Sequence, residues 1–179
     1  SLTAADPYWP TLSCADDPRI QLAEGGVERA DSVLNGLHAL TGLGAAPDDW
    51  ALVHDAARPN LTREDLDLLL MELADDPVGG LLAVPSRDTL KHAGPNGRVV
   101  ETLDRRHIWQ AFTPQMFRLQ NLQNALHEAL QAGATVTDEA SAIELTGHAP
   151  RLIEGRADNL KVTRPEDLDW LRQHWTAKH

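Results

Sequence analysis

The sequence predicts an α/β layered fold, in which short buried strands alternate with amphipathic helices. Two continuous apolar runs, Trp50–Val53 and 79–84, are too short for helices and are flanked by turn residues. Such runs are typical of strands in a buried, mostly parallel sheet. Between them lies a segment whose leucines recur at helical spacing. This order of strand, helix and strand is typical of the parallel α/β class.

Size, charge and cysteine content limit the class of protein. The 179 residues have the length of one domain, so we expect residues 1–179 to form a single domain. A net charge of -11 disfavours a broad nucleic-acid surface, so any phosphate site must be local. The single cysteine, Cys14, excludes an internal disulfide and suits a reducing compartment. Without a signal peptide or an apolar run of membrane-spanning length, we expect a cytoplasmic protein that binds neither membrane nor nucleic acid.

The helices are predicted from leucine spacing and from their start signals. The first follows a turn at Gly25 and Gly26, with Asp31 or Ser32 as its start. The second begins with a weak capping box of Thr62 and Asp65. The apolar residues at helical spacing lie at Val33, Leu34, Leu37 and Leu40, at Leu66, Leu69, Leu70 and Leu73, and at Leu119, Leu122, Leu126 and Leu130.

The remaining segments predict a hairpin, two further strands and two helices. Extended runs at 89–92 and 98–103 flank the turn "GPNG", which indicates a β-hairpin. Because an isolated hairpin is marginal in water, we expect it to pack on a second subunit or on its own domain. "PRLIEG" and "LKVT" are predicted as strands, a helix is expected near Asp138, and Thr163 with Pro165 opens a closing helix.

Polar residues follow the first predicted strand, in "WALVHDAARP". Ligands bind beyond the carboxyl ends of strands in open α/β sheets, and the Asp55 carboxylate and Arg58 guanidinium suit a metal and a phosphorylated ligand. The alternative is an Asp55–Arg58 ion pair that closes a turn. His54 is expected to form structural hydrogen bonds. A local anion site would result if the basic residues at element ends converge, although each Arg alone is more often a surface residue or a salt-bridge partner: Arg58, Arg105, Arg106, Arg156 and Lys161.

Six blocks of sequence carry a resemblance to a known family. They are "ERADSV" at 28–33, "VHDAARP" at 53–59, "RDTLK" at 87–91, "TPQMF" at 113–117, "TDEASA" at 137–142 and "EGRADNLKVTRPED" at 154–167. In order and spacing they resemble the 2-C-methyl-D-erythritol 4-phosphate cytidylyltransferases. The resemblance implies a Rossmann-like layered sheet of nucleotidyltransferase type with a projecting β-hairpin arm. It also implies CMP transfer from CTP to methylerythritol phosphate in the non-mevalonate isoprenoid pathway, with Mg2+ as cofactor.

The resemblance further assigns roles to individual residues. It implies a catalytic metal ligand at Asp55 and a catalytic lysine, Lys161, on the nucleotide phosphates. Three residues would hold methylerythritol phosphate: Arg58, Thr113 and Thr137. Thr89 and the catalytic Arg105 would contact substrate from the arm at 86–107, which in the family reaches the neighbouring subunit of a homodimer. The cytidine pocket would be lined by Gly26, Ser32 and Ala56.

Departures from the family pattern leave two alternatives. No glycine-rich phosphate loop precedes Asp55, so we expect that an N-terminal strand and loop are absent and that this chain binds CTP poorly. Val27 stands where some relatives carry an acidic residue. The first alternative is a sibling cytidylyltransferase acting on another polyol phosphate, such as ribitol 5-phosphate. The second is a nucleotide-binding protein without turnover.

Overall fold

The computed structural model describes residues 1–3 and 5–175, the last two of them through the backbone alone. The described residues contain six strands, with these bounds: β1 Trp50–Val53, β2 Gly79–Pro85, β3 Leu90–Ala93, β4 Val99–Leu103, β5 Trp109–Arg118 and β6 Arg151–Glu154. The helices are α1 Arg29–Gly42, α2 Arg63–Leu73, α3 Leu119–Gln131, α4 Glu139–Leu145 and α5 Pro165–Trp175. Short 3-10 helices cover Trp9–Thr11 and Arg105–His107. The predicted α/β class is confirmed.

The strands form two sheets. One has four strands in the order β1-β5-β2-β6, and β2 pairs with β6 in parallel, so that Gly80 lies opposite Arg151. A Cβ on Gly80 would come within 2.1 Å of the Arg151 carbonyl oxygen, so glycine is required there. The other sheet is the antiparallel pair β3 and β4. The chain separates into two compact units, residues 1–53 with 117–150 and residues 54–116 with the described part of 151–179. The prediction of one domain over residues 1–179 stays a prediction.

The first unit has a helical core. Buried leucines of α1 and α3, among them Leu37, Leu122 and Leu126, form its centre, and α3 also packs on α4. The start predicted for α1 at Asp31 or Ser32 was wrong, because Glu28 caps the helix and its backbone N–H donates to the Asp31 carboxylate at 3.0 Å. Asp31 therefore completes the cap from the first turn. The stop before Gly133 is confirmed, since α3 ends at Gln131 and Gly133 has a φ of 65°.

The second unit is built around β2. Six of its seven residues are buried, as a strand inside a parallel sheet requires, and α2 packs over it through the fully buried Leu69 and Leu73. The predicted cap of α2 is confirmed, because the Thr62 hydroxyl accepts a hydrogen bond from the Asp65 N–H. Leu70, predicted to face the core, is 39% exposed. Leu70 therefore lies at the border between the buried and the solvent-exposed face of α2.

Two strand assignments differ from the sequence prediction. "LKVT" is not a strand, because its backbone joins a loop instead of a ladder: the Val162 N–H donates to the Ala57 carbonyl at 2.8 Å. Conversely, the ten-residue strand β5 was missed. It contains Pro114, which lacks an N–H and argues against a strand interior, and buried polar residues such as Thr113 and Gln115 that break the apolar pattern.

The predicted hairpin is present as the pair β3 and β4, in which Leu90 lies opposite Leu103 and His92 opposite Glu101. Nearly all of its residues are exposed. Its role as an arm of a dimer stays a prediction. Within the part of the chain that the structure describes, no helix is both long and apolar enough to span a membrane.

Candidate active site

The loop after β1 brings Asp55 against two basic side chains. Its carboxylate oxygen Oδ2 lies 3.0 Å from the Lys161 ammonium nitrogen and 3.8 Å from Arg58 Nε. The Arg58 N–H donates to the Asp55 carbonyl at 2.9 Å and closes the turn. The two interpretations of this stretch therefore coexist: Asp55 and Arg58 do stabilise a turn, and the same turn presents a carboxylate beside two cations.

Hydrogen bonds to a neighbouring strand hold this loop. The Thr113 hydroxyl, buried in β5, accepts from the Asp55 N–H at 3.0 Å. It also lies 3.0 Å from His54 Nδ1, and His54 Nε2 lies 2.9 Å from the Arg58 carbonyl oxygen. The predicted structural hydrogen bonds of His54 are confirmed. Thr113, predicted as a substrate contact, has its hydroxyl engaged with the loop.

Arg58 is a fixed cation. The residue is 8% exposed, one guanidinium N–H donates to the backbone carbonyl of Asn159 at 2.7 Å, and the guanidinium lies over the Phe112 ring. Burial lowers the pKa of Arg58 from its usual value, and the charge of Asp55 partly opposes that shift. Arginine nevertheless stays protonated in proteins. These contacts therefore hold the positive charge of Arg58 in one position.

Asn159 is a site residue that sequence reasoning missed. Its side chain is fully buried and donates from Nδ2 to the Thr113 carbonyl at 2.9 Å, while its own carbonyl accepts from Arg58. It thereby joins the loop of Lys161 to β5. An asparagine two residues before a lysine gives no distinctive signal in sequence, because its function lies in backbone contacts across 46 and 101 residues of chain.

A cleft of about 320 Å³ opens beside these residues in the second unit. Three of its lining residues are cationic, Arg58, Arg87 and Lys161, against one carboxylate at Asp88. The other lining residues are Val84, Pro85, Gln110, Phe112, Ala157 and Leu160. In a chain of net charge -11, this excess of positive charge makes a local anion site of the kind predicted. Arg87 belongs to it although the predicted set of basic residues did not include it.

Other predicted members of the anion site lie elsewhere. Arg106 pairs with Asp104 at 2.9 Å and Arg156 pairs with Asp158 at 2.9 Å, each within two residues of chain. For these two residues the alternative of a surface salt-bridge partner is confirmed, because a local carboxylate pairs with each guanidinium at the surface. Arg105, in the second 3-10 helix, is exposed, and so are Thr89 before β3 and Ala56 in the loop.

The remaining predicted residues lie in the first unit. Gly26 is required by close packing, since a Cβ there would come within 2.2 Å of the Asp31 Cβ. Its N–H donates to the Ser32 hydroxyl at 2.8 Å, so Ser32 fixes the turn instead of capping α1. Val27, the next residue, is 95% exposed. The exposed Thr137 donates its N–H to the Ser141 hydroxyl at 3.2 Å.

A partly buried ion pair links the two segments that carry these residues. Arg29, three residues after Gly26, forms two hydrogen bonds with the fully buried Glu139 carboxylate, at 2.6 and 3.0 Å. Glu139 follows Thr137 by two residues and begins α4. The pairing of Arg29 with Glu139 was not predicted, because 110 residues of chain separate the partners. It fixes the predicted nucleotide segment relative to the predicted Thr137 segment.

The carboxylates near the cleft decide which mode of Mg2+ binding the site allows. The described residues contain no group of three or more His, Cys, Asp or Glu side chains that could hold a metal. Magnesium, however, is commonly held by one or two protein carboxylates together with phosphates of a substrate. Asp55, a carboxylate beside a cationic cleft, fits that mode of binding.

The chain is similar to known proteins over nearly its whole length. The IspD family model, described as 2-C-methyl-D-erythritol 4-phosphate cytidylyltransferase, matches residues 3–173. A protein of that name from Pseudomonas fluorescens strain SBW25 is 70% identical over 178 residues, which cover 99% of this chain and 76% of the relative. One from Pseudomonas putida strain W619 is also 70% identical, with the same coverage.

Solved structures give the same result. The chain resembles the crystal structure of a 4-diphosphocytidyl-2C-methyl-D-erythritol synthase with a TM-score of 0.88 and 40% identity, covering 97% of this chain and 79% of that one. The cytidylyltransferase of Francisella tularensis matches with a TM-score of 0.81 and 36% identity, over 88% of this chain and 73% of its own.

Proposed function

This chain belongs to the 2-C-methyl-D-erythritol 4-phosphate cytidylyltransferase family, and we propose that it transfers the cytidylyl group of CTP to 2-C-methyl-D-erythritol 4-phosphate. The reaction is a step of the non-mevalonate route to isoprenoid precursors. The observation that carries the proposal is the cationic cleft beside Asp55. A site for two phosphorylated substrates needs positive charge, and in a chain of net charge -11 this cleft supplies it.

The chemistry needs positioned charge more than proton transfer. An oxygen of the methylerythritol phosphate forms a bond to the α-phosphorus of CTP, and the bond from that phosphorus to the bridging oxygen of pyrophosphate breaks. A phosphate monoester has a second pKa of about 6, so near neutral pH it is already a nucleophile without a general base. The enzyme must therefore align the two phosphates and offset the negative charge crowded between them.

Two basic residues suit that task in different ways. Arg58 is held by Asn159 and Phe112, and its planar guanidinium can bind a phosphate through paired N–H donors. Lys161 is 43% exposed and ends in a compact ammonium on a flexible stem. In the proposed reaction, Lys161 turns from Asp55 toward the nucleotide phosphates, while Arg58 binds the phosphate of methylerythritol phosphate.

Asp55 would hold Mg2+ when the nucleotide is bound. There the ion would neutralise part of the charge on the triphosphate and favour the departure of pyrophosphate. The Asp55 carboxylate is suited to this because its oxygen Oδ2 contacts Lys161, whose ammonium can move to a phosphate. Thr137 is a further proposed contact of methylerythritol phosphate, and so is Thr113 through the one acceptor position that the Asp55 N–H leaves open. Gly26, Ser32 and Ala56 are proposed to line the cytidine pocket.

The hairpin is proposed to complete the site of a second subunit in a cytoplasmic homodimer. Thr89 and Arg105 flank the β3–β4 ribbon, are exposed, and do not line the cleft found among the described residues of their own chain. Exposed apolar residues of the ribbon, Val99 at 60% and Val100 at 64%, favour its packing on another surface. The catalytic role proposed for Arg105 would then be exerted on the neighbouring subunit's substrate.

The experiment that tests the function is pyrophosphate release from CTP and Mg2+, with methylerythritol phosphate and ribitol 5-phosphate offered in parallel. We expect release with methylerythritol phosphate alone. Release with ribitol 5-phosphate alone would assign the chain to a different polyol phosphate. A folded protein that binds CTP, measured by calorimetry, but releases pyrophosphate with neither substrate would indicate a nucleotide-binding protein without turnover.

A further inference from the structure

We propose that His54 is a positioning residue, which fixes the backbone of Asp55 and Arg58 relative to the cleft through hydrogen bonds of its imidazole ring. The inference rests on the proposed function, in which these two side chains hold metal and phosphate. His54 itself is absent from the residues that line the cleft in the described part of the chain. Its effect must therefore pass through the loop and not through contact with a substrate.

The hydrogen bonds define the tautomer of His54. Nε2 lies 2.9 Å from the Arg58 carbonyl oxygen, and a carbonyl can only accept, so Nε2 carries the proton. In a neutral ring Nδ1 then accepts, and its partner at 3.0 Å is the Thr113 hydroxyl, which donates. The Thr113 oxygen in turn accepts from the Asp55 N–H at 3.0 Å. Every donor in this chain thus has an acceptor.

The chain of hydrogen bonds connects both ends of the loop to a buried strand. Thr113 is 4% exposed in β5, so the anchor is part of the rigid sheet. The Thr113 hydroxyl holds the Asp55 N–H directly. Through its hydrogen bond to the His54 ring it also holds the Arg58 carbonyl. Displacement of a reacting group by about 1 Å can cost on the order of 10²-fold in rate. A residue that sets two such positions affects turnover without touching a substrate.

Substitutions can separate the two bonds. The short amide introduced by H54N reaches the position of Nδ1, and the longer amide introduced by H54Q reaches that of Nε2. We expect H54A to lower kcat by about 10-fold to 10²-fold, and H54N and H54Q to recover part of that loss. The matched control is H127A on α3, an exposed histidine bonded to Gln131, with unchanged kcat expected. Thermal unfolding of each variant identifies any that is simply misfolded.

Repeating the H54A substitution in the D55A variant distinguishes a positioning role of His54 from a general effect on the stability of the fold. In D55A the carboxylate that His54 helps to place is gone, so H54A should cost a smaller factor in kcat there than in the parent. The same factor in both backgrounds would overturn the proposal. So would a parent-like kcat in H54A. If H54A does not fold, the same comparison is made with H54Q.

The tautomer offers a readout that is independent of activity. The nitrogen-15 shifts of the His54 ring in the parent protein should show a protonated Nε2 and an unprotonated, hydrogen-bonded Nδ1. A ring protonated at Nδ1 alone would contradict the arrangement. A parent that releases no pyrophosphate would contradict the proposed function, whereas an active parent whose His54 variants match it would contradict the positioning role alone.

Discussion

Asp55 lies between a fixed cation and a movable one. Arg58 is buried and bonded to Asn159, whereas Lys161 is 43% exposed and can rotate about its stem. The ion pair of Lys161 with Asp55 at 3.0 Å keeps both charges near the cleft without fixing the ammonium there. In the proposed reaction, an incoming phosphate would compete with the Asp55 carboxylate for Lys161. The arrangement therefore favours exchange of partners on substrate binding.

Removing either charge should slow the reaction. We expect K161A and D55A each to lower kcat by about 10²-fold or more, as observed when one preorganised charge-stabilising group is lost. The measurement is steady-state pyrophosphate release with saturating substrates. The control is D67A, which removes an exposed carboxylate paired with Arg63 on α2 and should leave kcat unchanged. Near-normal turnover in K161A or D55A would remove that residue from its proposed role.

At the scale of elements, α2 supports the segment that follows β6. Asp65, in the first turn of α2, is 4% exposed, and its carboxylate oxygen Oδ2 lacks a hydrogen-bond partner among the described residues. A Cβ on Gly155 would lie 3.3 Å from a Leu82 side-chain carbon, so the chain passes close to the core there. The segment then continues to Asn159 and Lys161. The Cβ on Gly155 would also lie 3.7 Å from Asp65 Oδ1, so Asp65 lies next to the start of this segment.

The titration of Asp65 should be visible in stability. Burial raises the pKa of Asp65, although a hydrogen bond from the Arg156 N–H and the Arg156 charge oppose this. With a folded-state pKa above the unfolded one, the native protein binds more protons in that interval, so this group's contribution to stability falls as pH rises through it.

We therefore expect the free energy of unfolding of D65N, relative to the parent, to increase as pH rises from about 4 through the raised pKa of Asp65. Asparagine keeps a carbonyl acceptor and cannot ionise. The measurement is urea unfolding at several pH values, with the exposed Asp67→Asn substitution as control. A difference between D65N and the parent that is constant with pH, or that decreases, would contradict the sign.

For the whole molecule, charge is distributed unevenly. The chain has a net charge of -11, yet its cleft carries three cations against one carboxylate. Such a local field attracts phosphorylated ligands, while the acidic remainder disfavours nonspecific binding to polyanions. Two further predicted substrate contacts, Thr89 and Arg105, lie outside this cleft on the exposed ribbon. If these residues contact substrate as proposed, a complete site requires a second copy of the chain.

Mixing two inactive variants tests the shared site. In R105A the arm is defective and in K161A the cleft is defective, so a mixed dimer contains one site with both parts intact. We expect pyrophosphate release to rise above that of either variant once subunits have exchanged. Exchange is verified with differently tagged chains. Activity that stays at the level of the separate variants after verified exchange would count against the shared arrangement.

Local sequence patterns correctly predicted the elements that depend on residues close together in the sequence. The strand β1 and the buried strand β2 follow from short apolar runs, and the Thr62 cap of α2 follows from one hydroxyl three residues before its partner N–H. The strand β5 was missed because Pro114 and buried polar residues hide its pattern, and the start of α1 because Glu28 and Asp31 cap it together. The errors arose where a contact overrides propensity, as at the start of α1, or where residues unusual in a strand obscure the pattern, as in β5.

The sequence by itself determined the α/β class, the acidic character and the family, because these depend on composition, periodicity and six ordered blocks. Tertiary structure decided which groups meet. It placed Lys161 against Asp55 across 106 positions of sequence numbering, made Asn159 the anchor of Arg58, added Arg87 to the cleft and joined His54 to Thr113. No local pattern encodes these contacts, since they arise only when distant segments are brought together by the burial of a shared core.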